Sequence, residues 1–210
     1  MSKIDDVVAL VENGKRKLVP AAVQEALDEG ADPGELLNGM IGAMDIVGEK
    51  FKRNEIFVPE MLIAAKAMKA GVEVLKPLLA DEGAEDLGTV VIGTVYGDLH
   101  DIGKNLVAMM IESAGFTVID LGVDVPVENF VNSVTENENV KIVAVSALLT
   151  TTMPAMKETV EALNAAPFRK DIKVMVGGAP ITQEFADEIG ADCFTVDAAS
   201  AAQAAKALVA

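Results

Sequence analysis

The spacing of apolar residues changes near residue 88 and divides the chain into two kinds of sequence. Before this point, apolar side chains recur every three or four residues, as in the run from Leu36 to Phe51, and this period is typical of helices that bury one face. After it, short apolar runs alternate with helix-length segments. Since one uniform architecture cannot satisfy both patterns, we expect a helical domain over residues 1–88 and a mixed domain over residues 89–210.

The first domain is expected to contain four helices. Asp32-Pro33-Gly34-Glu35 combines an N-cap carboxylate, a proline at the first helical position and a glutamate at the third, and this combination predicts a helix start. Pro59 marks the start of the last helix, with Pro77 near its end. Four helices of this size favour a bundle, and the polar stretch Asp81–Asp86 is typical of a linker.

The second domain is predicted to be an α/β fold built on a five-stranded parallel sheet. Strict alternation of strands and helices needs right-handed crossovers with helices on both faces, which makes the sheet doubly wound. Five strands favour the flavodoxin-like order 2-1-3-4-5. The predicted strands are Thr89–Val95, Thr117–Leu121, Lys141–Ala147, Ile172–Val176 and Cys193–Val196. The predicted helices are Ile102–Ala114, Val127–Glu136, Met153–Ala165, Thr182–Ile189 and Ala198–Val209.

Charge and composition exclude several classes of function. The chain has 17 lysines and arginines against 33 aspartates and glutamates, a net charge of −16, so we expect binding neither to nucleic acid nor to an anionic membrane. No apolar run is long enough to span a bilayer, and the polar first six residues are not those of a secretory signal. Cys193 is the one cysteine and cannot form an internal disulfide, so a cytoplasmic location is expected.

The residues with the most chemical potential follow the first and third predicted strands. In a doubly wound sheet, ligands bind at the carboxyl ends of the strands where the strand order reverses, which is between these two strands. Asp98 and His100, the only histidine, follow the first strand, and Thr150–Thr152 follow the third. A lone histidine is more often structural, but a carboxylate beside it at this place favours an imidazole oriented as a metal ligand.

Most common site types lack their sequence signatures here. One histidine and a distant cysteine cannot supply the three or four protein ligands of a zinc site. The nucleophile elbow Gly-x-Ser-x-Gly is absent, and the first loop has neither Gly-x-Gly-x-x-Gly nor a Walker motif. A single histidine ligand suffices only where a macrocycle supplies the remaining ligands to the metal. Gly177 and Gly178, after the fourth strand, would allow a flat group to approach the backbone.

Three motifs stand in order at the predicted strand ends: Asp98-x-His100-x-x-Gly103, Ser146-x-Leu148 and Gly177-Gly178. Together they resemble the cobalamin-binding signature of the methionine synthase type. The first domain is similar to the helical cap of that family through the segments 47–51 and 57–61. The whole chain therefore resembles the free-standing corrinoid proteins of anaerobic methyltransferase systems, which demethylate methylamines, methanol, betaines or aryl methyl ethers.

This resemblance implies a cofactor and a set of site residues. Cobalamin, used as methylcobalamin and cob(I)alamin, would bind base-off with His100 as the lower axial ligand to cobalt. Asp98 would accept the other imidazole N–H, and Thr152, where the family often has serine, would hold Asp98; these three are the implied catalytic residues. The further implied cofactor contacts are Gly97, Leu99, Asp101, Ile102 and Gly103, then Ser146, Leu148 and Thr150, then Gly177, Gly178 and Ala199, with Phe51, Val58 and Met61 covering the reactive face.

The implied function is that of a methyl carrier, a subunit of a methyltransferase system and not a complete enzyme. Its partners would be a substrate:corrinoid methyltransferase, a second methyltransferase with a folate or thiol acceptor, and a reductive activase. Two alternatives share parts of the pattern. A cobalamin-dependent isomerase subunit has the same histidine motif without a helical cap, and a cobalamin-based transcriptional sensor needs a basic DNA-binding element. The sequence does not identify the methyl donor.

Overall fold

The computed structural model describes residues 2–82 and 87–210. These residues form two compact units that divide close to residue 87. The described residues of the first unit form helices and turns, whereas the second unit contains a sheet with helices between its strands. In the described part of the chain, no helix combines the length and the apolar character that crossing a membrane requires.

The described residues of the first unit form four helices: α1 (Lys3–Glu12), α2 (Val19–Asp28), α3 (Pro33–Lys52) and α4 (Val58–Glu82). Helices α1 and α4 each pack against the three others. The predicted start of α3 is confirmed, because Asp32 Oδ1 accepts the backbone N–H of Glu35 at 2.8 Å with Pro33 between them. Its buried side chains keep the expected spacing, namely Leu36, Met40, Ala43, Met44 and Val47.

The end of α4 differs from the prediction. The helix includes Pro77 and continues through Glu82, so Asp81 and Glu82 are helical and do not begin a linker. Polar composition alone does not end a helix, since glutamate is a good helix former and neither residue is a glycine or a proline. The rest of the predicted linker, residues 83–86, lies outside the described residues.

The second unit confirms the predicted doubly wound fold. Its strands are β1 (Thr89–Thr94), β2 (Thr117–Asp120), β3 (Val140–Ser146), β4 (Lys173–Gly177) and β5 (Cys193–Phe194), all parallel and in the order β2-β1-β3-β4-β5. Its helices are α5 (Ile102–Ser113), α6 (Val127–Glu136), α7 (Met153–Ala165), α8 (Gln183–Ile189) and α9 (Ala198–Val209). Phe130 of α6 and Val160 of α7 belong to one buried core with Val91 and Val143 of the sheet.

Two local features depart from the predicted element bounds. Strand β5 pairs only through Cys193 and Phe194, because the chain leaves the ladder before Thr195, and Val196 is exposed. Short 3₁₀ turns, Thr150–Thr152 and Pro167–Lys170, precede α7 and β4. Each has few residues and no periodic apolar pattern, so neither is visible in the sequence.

The order of the strands places two loops side by side. Strands β1 and β3 are neighbours in the sheet, and their last residues, Thr94 and Ser146, are paired in register. All six residues of β1 are buried, as expected for a central strand covered on both faces. The segments that follow, residues 95–101 and 147–152, therefore begin at the same place on the carboxyl edge of the sheet.

Candidate functional site

The loop after β1 is held in a fixed turn. The hydroxyl of Thr94 donates to the carbonyl oxygen of His100 at 2.9 Å, and the Asp98 N–H donates to the Val95 carbonyl at 3.1 Å. Gly97 has a φ of +80°, a left-handed conformation that glycine adopts without strain. The turn sends the side chain of Asp98 into the protein, where it is fully buried, while His100 stays half exposed.

Asp98 receives four hydrogen bonds from two loops. Its Oδ1 accepts the backbone N–H of His100 at 3.1 Å and lies 2.6 Å from His100 Nδ1. Its Oδ2 accepts the Leu148 N–H at 2.7 Å and the Thr152 hydroxyl at 2.8 Å. Burial opposes the ionised form, but the hydrogen bonds from Leu148, His100 and Thr152 outweigh it and hold the pKa of Asp98 well below its usual range. Asp98 is therefore a buried carboxylate anion.

The ionised Asp98 determines which nitrogen of His100 carries the proton. A carboxylate only accepts hydrogen bonds, so Nδ1 must donate and the neutral ring must have its lone pair on Nε2. The ring is 49 % exposed, and Nε2 has no hydrogen-bond partner among the described residues. An imidazole fixed in this way by a carboxylate is prepared to bind a metal ion through Nε2.

Thr152 supports the carboxylate and does not cap the helix that follows it. It occupies the N-cap position of α7, yet its side chain makes no capping hydrogen bond. Its buried hydroxyl lies 2.8 Å from Asp98 Oδ2 and 2.9 Å from the carbonyl of Leu149. Thr151, beside it, is exposed. Of the three threonines in the 3₁₀ turn, Thr152 is thus the one whose hydroxyl bonds Asp98.

Large apolar side chains are exposed along the carboxyl edge of the sheet. They follow β1, β3 and β5, and each exposes 40 % or more of its surface: Tyr96, Leu99, Ile102, Leu148, Leu149 and Val196. Gly103 is also exposed, and an added Cβ would meet no other protein atom within 4 Å. Single exposed apolar residues are normal, but a group at one sheet edge indicates a surface that a ligand covers.

Gly177, the last residue of β4, and Gly178, which follows it, have different local requirements. Gly178 has a φ of +137°, and a Cβ there would lie 1.8 Å from the carbonyl oxygen of Ala147. At Gly177 the nearest atom would be the Thr195 carbonyl oxygen at 3.4 Å, an ordinary contact. The close approach of two loops of the protein is therefore sufficient reason for glycine at position 178, where the resemblance implies a slot for a ligand.

The other predicted site residues do not share in the hydrogen bonds around Asp98. In the second unit, Asp101 and Thr150 are exposed, Ser146 is half-buried and Ala199 is buried in α9. In the helical unit, Met61 is fully buried, Phe51 is half-buried and Val58 is exposed. The structure thus brings together Asp98, His100, Leu148 and Thr152.

Three residues beside the site were not predicted from the sequence. Lys104, in the first turn of α5, is buried and donates to both carboxylate oxygens of Asp120 at 2.6 and 2.5 Å. Asp124 accepts the N–H of Gly97 at 2.7 Å through its side chain. A cation in the first turn of a helix is unfavourable because it lies near the positive end of the helix dipole. The position of Lys104 in the sequence could therefore have predicted an acidic partner for it.

Comparison with known proteins decides the family. Both units match the B12 binding domain, the first over residues 3–76 and the second over residues 88–206. Dimethylamine corrinoid protein 1 of Methanosarcina acetivorans is 44 % identical over 209 residues, which cover 99 % of this chain and 97 % of that protein. The chain belongs to the B12-binding corrinoid proteins. The resemblance seen in the three motifs is confirmed.

Two further relatives also match almost the whole chain. Trimethylamine corrinoid protein 2 of Methanosarcina mazei is 43 % identical over 214 residues, covering 99 % of this chain and 98 % of that protein. A chain of the solved methanol:cobalamin methyltransferase complex from Methanosarcina barkeri has a TM-score of 0.83 and 31 % identity, covering 99 % of this chain and 79 % of that chain. The corrinoid-protein family thus covers both units of the chain, from the helices to the sheet.

The residues at the carboxyl edge fit the cofactor of this family. A corrinoid is a broad macrocycle with cobalt at its centre, and an imidazole nitrogen could coordinate that cobalt. His100 offers one imidazole nitrogen without a partner in residues 2–82 and 87–210, and its tautomer is already set by Asp98. The exposed apolar side chains around it offer a surface for the ring, and the open space at Gly103 admits a close approach.

Proposed function

We propose that this corrinoid protein carries methyl groups between two methyltransferases, with cobalamin held base-off and His100 Nε2 as its lower axial ligand. The observation that carries the proposal is the set of four hydrogen bonds on Asp98, since it leaves His100 with one oriented nitrogen that has no partner among the described residues. When bound, cobalamin supplies a cobalt ion that takes a methyl group from one substrate and gives it up to another.

The chain's own contribution is to hold and release the axial nitrogen. Asp98 keeps the imidazole in the Nδ1–H tautomer and stabilises any positive charge that develops on the ring. Leu148 and Thr152 keep Asp98 in place from the loop after β3, so that the histidine and its carboxylate are tied to two strands. A rigid support of this kind favours one ligand geometry over others.

Further residues are proposed to contact the cofactor without coordinating its cobalt. The exposed first loop would face the corrin edge, with Gly97, Leu99, Asp101, Ile102 and Gly103. Leu148 would contribute apolar surface beside the ring as well as its backbone N–H. The residues proposed beside the buried nucleotide tail are Ser146, Thr150, Gly177, Gly178 and Ala199.

The methyl donor is proposed to be a methylated amine. Relatives named for dimethylamine and for trimethylamine are 44 % and 43 % identical, so these names support the class of donor and not one member of it. The first partner would be an amine:corrinoid methyltransferase, consistent with the solved complex of a relative with its methanol methyltransferase. The second would transfer the methyl group to a folate or a thiol, and a reductive activase would restore the cofactor.

The test of this proposal is methyl transfer to the loaded protein from defined donors. The cobalamin-loaded, chemically reduced chain is mixed with purified methyltransferases for dimethylamine, trimethylamine and methanol, each with its isotopically labelled substrate. We expect label on the protein-bound cofactor with at least one amine enzyme. Cobalamin binding with no transfer from any enzyme, while a known corrinoid protein is labelled in parallel, would contradict the carrier function and favour a sensor or an isomerase subunit.

A further inference from the structure

The loop after β2 lies against the loop that holds His100. The Thr94 N–H donates to the Gly122 carbonyl at 3.0 Å, and the Val125 N–H donates to the Thr94 carbonyl at 3.0 Å. These bonds continue the pairing of the two segments beyond the sheet, as does the parallel bridge between Val95 and Val125. The loop after β2 therefore forms a second support for the histidine loop, on the side opposite β3.

Asp124 makes the two contacts of this support that lie nearest to the site. Its backbone N–H donates to the carbonyl of Asp98 at 2.9 Å, and its Oδ1 accepts the N–H of Gly97 at 2.7 Å. The two bonds bracket residues 97 and 98 at both ends. Asp124 itself has a φ of +53°, a conformation that aspartate, asparagine and glycine tolerate better than other residues.

The side chain of Asp124 is exposed and has no hydrogen bond to His100. Its effect on the histidine must therefore pass through the turn at Gly97 and Asp98. The carboxylate of Asp98 is held by Leu148 and Thr152, and the backbone before it is held within the turn by the bond from the Asp98 N–H to the Val95 carbonyl at 3.1 Å. Gly97, with φ of +80°, is intrinsically free to leave its turn, and Asp124 is the side chain that holds its N–H.

We propose that Asp124 is a positioning residue for His100: by fixing the turn at Gly97 and Asp98, it keeps the imidazole in the orientation needed for axial ligation. The inference rests on the proposed function for its consequence at cobalt. Its consequence for the imidazole itself, namely a stable Nδ1–H bond to Asp98, holds for the cofactor-free protein as well. The two consequences can therefore be measured separately.

Two substitutions separate the hydrogen bond from the backbone conformation. Asp124→Asn keeps a side-chain oxygen as the acceptor and tolerates the positive φ. Asp124→Gly tolerates the same φ but removes the acceptor, so it isolates the contact with Gly97. Asn139→Gly is the matched control, since Asn139 has a φ of +56° in the same unit but precedes β3, at the amino edge of the sheet.

The first readout uses the cofactor-free protein. His100 is the only histidine, so growth on ¹⁵N-labelled histidine places the label at one residue, and the two ring nitrogen shifts report the tautomer. We expect the wild type, Asp124→Asn and Asn139→Gly to show the Nδ1–H form. In Asp124→Gly the shifts should move towards the average of the two tautomers. Wild-type shifts in Asp124→Gly, or equal changes in Asp124→Asn, would overturn the inference.

The second readout is the visible spectrum of the cobalamin-loaded protein at neutral pH. We expect Asp124→Gly to lower the ratio of histidine-ligated to unligated cofactor about tenfold, because supports of a metal ligand commonly contribute effects of this size. Asp124→Asn and Asn139→Gly should keep the wild-type ratio. A wild-type ratio in Asp124→Gly would overturn the inference. Failure of the wild type itself to show histidine ligation would instead contradict the proposed function, and the tautomer measurement would still decide the role of Asp124.

Discussion

Replacement of His100 by alanine is expected to slow methyl transfer about a hundredfold or more while cobalamin still binds. The loss should exceed that caused by changing a ligand's supporting residue, which is commonly 10- to 100-fold, because the axial ligand itself is removed. The ring is half exposed, so little packing is lost, but the buried Asp98 loses the donor at His100 Nδ1 and the melting temperature should fall. The rate of label transfer from an amine donor measures the slowing of methyl transfer. The visible spectrum shows whether cobalamin is still bound.

Added imidazole provides a control for this variant. A free imidazole can occupy the space left by the ring and donate a nitrogen to cobalt, so it should restore part of the histidine-ligated spectrum in His100→Ala and leave the wild type unchanged. If His100→Ala transfers methyl groups at the wild-type rate with a wild-type spectrum, His100 is not the axial ligand.

The second large effect is expected for Asp98→Asn, which should destabilise the protein by about 3 kcal/mol at neutral pH. An asparagine side chain has one acceptor oxygen, whereas Asp98 accepts four donors on two oxygens. The amide NH₂ would face either the Leu148 and Thr152 donors or those of His100, and would leave them unsatisfied in a buried place. Denaturant unfolding of the cofactor-free chain measures the difference in free energy.

The pH dependence of this difference follows from the lowered pKa of Asp98. A carboxylate whose folded pKa is depressed contributes stability that is complete above its unfolded pKa, ordinarily about 3.9, and is lost as pH falls through the folded pKa. The gap between wild type and Asp98→Asn should therefore shrink as pH falls below about 4, where the unfolded chain takes up the proton before the folded one. Asp187→Asn, on the exposed face of α8, serves as the control and should stay within about 0.5 kcal/mol of wild type. A gap that does not shrink as pH falls from about 4 into stronger acid would contradict the ionised state of Asp98.

Much of this fold could be predicted from the sequence because local patterns and overall topology agree. The period of the apolar residues separated the bundle from the sheet, and strict alternation of strands and helices led to the strand order that the structure has. Since that order places the loops after β1 and β3 together, Asp98, His100 and Thr152 could be expected as neighbours, although they are 54 residues apart at the extremes.

The parts of the site that the sequence did not predict depend on backbone geometry. Backbone geometry is only weakly reflected in residue types. Leu148 contributes its N–H to Asp98, and any residue but proline could do so. The close approach at Gly178 and the 3₁₀ turn before α7 depend on how two loops pass each other. Asp124 is one acidic residue among 33, and only its φ of +53° and its contact with Gly97 distinguish it.

The axial nitrogen of the bound cofactor can be identified directly by electron paramagnetic resonance. Untagged protein is grown on ¹⁵N-histidine, loaded with unlabelled cobalamin and reduced by one electron to the paramagnetic cobalt(II) state. Because His100 is the only histidine, the label marks one possible ligand. The account predicts that the nitrogen splitting of the cobalt lines changes from the triplet of ¹⁴N to the doublet of ¹⁵N. A triplet that persists in the labelled protein would show that the cofactor's own base occupies the axial position, and it would contradict ligation by His100.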